Sequence, residues 1–123
     1  MRPRWAAADV AGLETISTRL LDRALVELAD ADRPLGRHAA GRCVAHFADA
    51  VEALALCRSV PVAEREVELR RARRAALAAR HALAQVQRSA SVAPTVLREL
   101  GAGVEVLRRR LDELLECEPA PEV

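Results

Sequence analysis

Apolar residues recur at spacings of three and four through most of the chain, the pattern of amphipathic helices. Leu13, Ile16, Leu20, Ala24 and Leu28 form a first stripe, widened by Leu21 and Leu25, and predict a helix over about 10–31. Pro34 and Gly36 punctuate the chain after it. A second helix, about 36–58, carries Ala40, Cys43, Phe47, Ala50, Leu54 and Cys57, with Val44 and Val51 widening the stripe toward a second neighbour. Ser59 and Pro61 read as a stop and a restart, because Ser caps helices and Pro suits a first turn. The third helix, about 61–88, has the seam Leu69, Ala72, Ala76, Ala79, Leu83 and Val86. The fourth, about 93–116, has Leu97, Leu100, Val104, Leu107, Leu111 and Leu114.

Four such helices joined by short loops predict an all-α, antiparallel up-down-up-down four-helix bundle over 10–117. Residues 1–9 are expected to be a flexible N-terminus and 118–123, with Pro119 and Pro121, a disordered tail. The small seam residues Ala72, Ala76 and Ala79 require close helix contact and leave no obvious ligand cavity. Gly101 and Gly103, inside the fourth helix at a cost of about 1 kcal/mol each relative to Ala, point to a close approach as well. Composition agrees with the helical reading. The 123 residues suit one domain, and Trp5 and Phe47 are the only aromatics, whereas strands favour β-branched and aromatic side chains.

Charge excludes a strong global field: 19 basic and 18 acidic residues leave +1. All 19 basic residues are Arg, a bias that GC-rich coding would produce and that also favours forked contacts to phosphate and carboxylate. Cys43, Cys57 and Cys117 form no CxxC pair, and the first two fall on apolar helical positions, which suggests a reducing, cytoplasmic setting. Neither a signal peptide nor a membrane-crossing run is recognisable. No Glu-x-x-His pair of the di-iron type occurs, and His46 with Asp49 lacks companions for a metal, so no metal site or cofactor is expected. His38, Arg42 and His46 lie four apart on one face of the second helix and read as a solvated or interface strip. A phosphotransfer role for His38, His46 or His81 lacks the Lys that normally accompanies such a histidine. No Ser or Cys sits in an activating context, so a non-catalytic protein is expected.

Charge is nevertheless unevenly placed. Residues 61–88 hold seven Arg against three Glu, a local balance of +4, while 98–118 hold four Arg against six acids, a balance of −2. Arg70, Arg74, His81 and Arg88 share one side of the third helix; Arg73 and Arg80 lie seven apart on the adjoining side. Two readings stand: a solvated face answering Glu105, Asp112 and Glu113, or a surface for nucleic-acid phosphates bound without sequence preference. No aromatic platform accompanies these arginines, so base stacking is not supported. Arg108-Arg109-Arg110 is a second, shorter cluster.

Three segments carry a resemblance to a known family: Arg33-Pro-Leu-Gly-Arg-His38 leading into Gly41-Arg-Cys43, the arginine-bearing third helix from Glu64 to Arg88, and Leu97-Arg-Glu-Leu-Gly-Ala-Gly-Val-Glu-Val-Leu107. In length and pattern the chain resembles, over about 13–117, a small four-helix-bundle family with two groups. One is encoded by intervening sequences in bacterial 23S ribosomal RNA genes; the other is the accessory variability determinant of diversity-generating retroelements. The resemblance implies a homopentameric barrel that binds a reverse transcriptase and its template RNA or RNA/DNA, without catalytic residues of its own, in support of mutagenic cDNA synthesis. By position it implies Arg70, Arg71, Arg73, Arg74, Arg80 and Arg88 as nucleic-acid contacts. The net charge of +1 departs from the distinctly basic character of the retroelement group, which keeps open an alternative: a homo-oligomeric scaffold of the same fold that binds protein only.

Overall fold

A computed structural model describes residues 7–29, 34–89 and 92–116, which are helical apart from short connections. The helices are α1 (Ala7–Glu27), α2 (Pro34–Ser59), α3 (Arg65–Ser89) and α4 (Pro94–Glu116). The segments 1–6 and 118–123, expected to be loose, lie outside the described residues, as does Cys117. Residues 7–9 of the expected flexible end instead form the first turn of α1.

Element boundaries differ from the sequence pattern where local backbone chemistry takes over. The α1 helix ends at Glu27, short of 31: the Leu28 N–H donates to the Ala24 carbonyl at 2.9 Å, closing the last turn, and the Leu28 side chain lies back on the core. Pro61 opens no α-helix. It is extended (φ −57°, ψ 152°), its carbonyl accepts from the Glu64 N–H at 2.9 Å, and a short 3-10 turn over Val62–Glu64 leads into α3. Ser59 caps nothing that follows; it ends α2 with its hydroxyl donating to the Ala55 carbonyl at 3.4 Å.

Cross-helix contacts fix the directions. The Cys43 thiol points at the Ala79 carbonyl (3.9 Å) and the Cys57 thiol at the Arg65 carbonyl (3.8 Å), so α2 and α3 run antiparallel. Arg58 reaches Glu14 at 2.8 Å between the end of α2 and the start of α1. Arg73 pairs with Asp112 and Arg80 with Glu105, which sets α3 against α4. Arg23 pairs with Glu99, closing the ring between α1 and α4. Each helix therefore packs on its chain neighbours, with up-down-up-down connectivity.

The core is what the period dictates, with small residues where α2 meets α3. Ala39, Ala40, Cys43, Ala50, Ala53 and Cys57 on α2 are buried, as are Ala72, Ala75, Ala76, Ala79 and Ala82 on α3. This pair shares the most extensive contact in the bundle, and of the four neighbouring helix pairs α1–α4 shares the least. Short side chains let two backbones approach, which is why the alanines sit there. Phe47, Leu54, Leu69, Leu100, Leu107 and Leu111 supply the bulk of the centre. Leu25, expected to widen the first stripe, is instead 52% exposed. Leu115 rather than Leu114 carries the end of the α4 seam.

Candidate nucleic-acid interface

Helix α3 distributes its arginines over three lines, set by 100° of rotation per residue. Arg70, Arg74, His81 and Arg88 lie within about 40° of one another, opposite the buried alanines. All four are exposed. Arg71 falls on the flank toward α2, and Arg73 and Arg80 on the flank toward α4. The flanking arginines are held by carboxylates. Arg71 bonds Asp49 and lies 3.4 Å from Glu52 and 3.8 Å from Glu68. Its bond to Asp49 raises the guanidinium pKa above the ordinary value, outweighing the opposing effect of burial. Arg73 bonds Asp112, and Arg80 lies 3.8 Å from Glu105.

The shorter cluster on α4 divides in the same way. Arg108 bonds Glu105 and reaches Asp112 at 2.6 Å, while Arg109 and Arg110 are exposed. The hydrogen bond from Arg108 holds the Glu105 carboxyl below its usual range, with the charges of Arg108, Arg80 and Arg109 acting in the same direction. The acidic neighbours foreseen for α3 therefore include two that do meet it, Glu105 and Asp112; Glu113 stays exposed. Such half-exposed pairs stabilise by about 0.2–1 kcal/mol each, and their larger effect is to neutralise charge.

Along the outward line, Arg70 has a carboxylate one turn back, Glu66 at 3.7 Å. Arg74 and Arg88 have no carboxylate partner among the described residues. Of the six arginines singled out from the sequence, the structure brings Arg74, Arg88 and the half-exposed Arg70 onto one open face. It turns Arg71, Arg73 and Arg80 into clasps to the neighbouring helices.

Across the α2–α3 groove stands a residue that the sequence reading left in an unassigned strip. Arg42 donates to the side-chain oxygen of Gln85, so this cross-helix arginine is held by a neutral amide and has no carboxylate partner among the described residues. Both partners lie where acids are missing: residues 33–48 contain no Asp or Glu, and neither do residues 69–98. Those two acid-free runs were the available signal. Only the antiparallel register reveals that they are neighbours.

An open groove of about 430 Å³ runs between α3 and α4, floored by Leu83 and Leu97 with Arg80 and Arg98 at its rim. Among the described residues, no three His, Cys, Asp or Glu gather closely enough to hold a metal ion. Cys43 is buried, which pushes its thiol up to about 12, and burial raises the Cys57 thiol too. No helix among the described residues is long and apolar enough to cross a membrane. No protein-family model, curated protein or solved structure matches the chain.

Proposed function

We propose that the protein is a non-catalytic RNA-binding bundle that works as a homo-oligomer, the pentamer of the resembled family, and serves a reverse transcriptase as the accessory protein of a diversity-generating retroelement. The observation that carries RNA binding is the outward line of α3, where Arg74 and Arg88 stand exposed without a carboxylate partner among the described residues. Guanidinium groups placed so contact phosphates, and release of counterions makes the binding salt-dependent and indifferent to sequence. The reverse transcriptase, the retroelement setting and the number five rest on the family resemblance.

Light scattering with absorbance at 260 and 280 nm, at low and then high salt, tests this directly. One Trp and no Tyr make the protein a weak absorber at 280 nm, so bound RNA dominates the ratio. The expected result is a particle of about 67 kDa, five times 13.4 kDa, that carries RNA at low salt and sheds it at high salt. Arg74→Glu/Arg88→Glu, with helicity intact by circular dichroism, should abolish that RNA. A monomer would count against the family reading.

A second reading, a homo-oligomeric scaffold that meets only protein, draws on the neutralisation of Arg71, Arg73 and Arg80 and on the net charge of +1. An oligomer that stays free of RNA at low salt, even with RNA added, would favour it.

A further inference from the structure

Both α2 and α3 are electrically lopsided, and their antiparallel packing aligns the two asymmetries. The five carboxylates of α2, the 3-10 turn and α3 are Asp49, Glu52, Glu64, Glu66 and Glu68, all in the half nearest the junction of the two helices. The other half has cations alone. Arg42 reaches Gln85 there, and Cys43 lies against Ala79, so the beginning of α2 runs beside the end of α3. This register brings His38 level with Ala84 and Gln85, about one turn before Arg88, and brings His46 level with the turn that follows Arg74. On α3, Arg74, His81 and Arg88 follow at seven-residue steps, about 10 Å apart along the axis.

We infer that the phosphate-binding surface is a two-helix face, in which Arg42 of α2 joins Arg74 and Arg88 of α3 on one RNA backbone, flanked by His38 and His81. The inference rests on the RNA-binding reading above and adds to it a helix and a contact residue. Three observations converge on it. Arg42 is positioned by a neutral partner, so it is pre-ordered without losing its charge. The nearest carboxylates on the two helices, Asp49 and Glu68, are engaged by Arg71. The exposed side chains on this face include two arginines without carboxylate partners among the described residues, in a row along α3. An acidic protein surface would use the same charges. Arg74 and Arg88 stand about 21 Å apart along the axis, with Arg42 level with the stretch between them, a span that the continuous charged backbone of RNA can follow.

Fluorescence anisotropy with a fluorescein-labelled oligouridine, read as affinity against salt concentration, tests the face. Arg42→Gln should weaken binding and reduce the magnitude of the salt slope by about 0.7, the value for one lost phosphate contact on a single strand. Arg74→Gln/Arg88→Gln should reduce it by about twice that. Arg42→Lys keeps the charge and should retain the slope, which separates loss of a phosphate contact from loss of the Gln85 bond. Arg19→Gln/Arg109→Gln, exposed positions on α1 and α4, should leave binding unchanged. If Arg42→Gln binds like the wild type while the α3 pair weakens it, the two-helix face is overturned and the single-helix reading stands. Equal losses from the α1/α4 pair would overturn it as well. A wild type that binds no RNA at all would remove the RNA-binding reading itself.

Discussion

At the residue scale, two positions in the bundle carry avoidable costs. Ser17 is fully buried in α1 and its hydroxyl has no hydrogen-bond partner among the described residues. An unsatisfied buried polar group costs about 1–3 kcal/mol, so Ser17→Ala should raise the thermal midpoint rather than lower it. A lower midpoint would mean that the hydroxyl is satisfied after all. The α4 glycines make a sharper comparison. A methyl group at Gly101 would meet nothing, so Gly101→Ala should stabilise by about 1 kcal/mol through helix propensity alone. At Gly103 the same methyl would run into the Leu20 side chain of α1, so Gly103→Ala must displace Leu20 and should gain less or lose. Equal gains in thermal melts would show that α1 yields freely at this contact. The sequence suggested close approach at both glycines. Spacing alone could not separate them, because only Gly103 lies on the flank that meets α1.

At the element scale, the interior positions were readable and the ends were not. The α2 and α3 seams are buried as the period implies, because a turn of 3.6 residues fixes which side chains share a face whatever the neighbours are. The ends depend on single hydrogen bonds: the Leu28 N–H, the backward-facing Ser59 hydroxyl and the Pro61 carbonyl. Those choices are separated by little energy and leave no periodic trace. The basic line of α3 was equally legible as a line, since it follows from rotation alone. What could not be read was its chemistry, because the partners of Arg71, Arg73 and Arg80 come from α2 and α4 at long sequence separation. Arg42 shows the same limit from the other side. Its face was recognised on α2, but nothing in the local sequence says which helix that face meets.

At the scale of the whole molecule, the clasps between helices make stability sensitive to acid. Glu105 links Arg80 of α3 to Arg108 of its own helix, and its carboxyl titrates below the ordinary value of 4.5. A carboxyl depressed on folding contributes stability above its unfolded pKa, and that contribution is lost as pH falls through the folded one. Urea denaturation should therefore show Glu105→Gln less stable than wild type at neutral pH, with the gap closing in acid. A gap that persists in acid would assign the difference to packing instead. The near-zero net charge, which argues against long-range attraction, hides a different property. Along α2 and α3 the carboxylates gather near the junction and the far half, with Arg37, Arg42, Arg80 and Arg88, has none, so the charge of this hairpin is lopsided along its axis even though Arg74 stands in the carboxylate half. A dipole is turned by a field even where the total charge is scarcely pulled by it. On this hairpin taken alone, a polyanion would be drawn first toward the carboxylate-free half, before any contact forms.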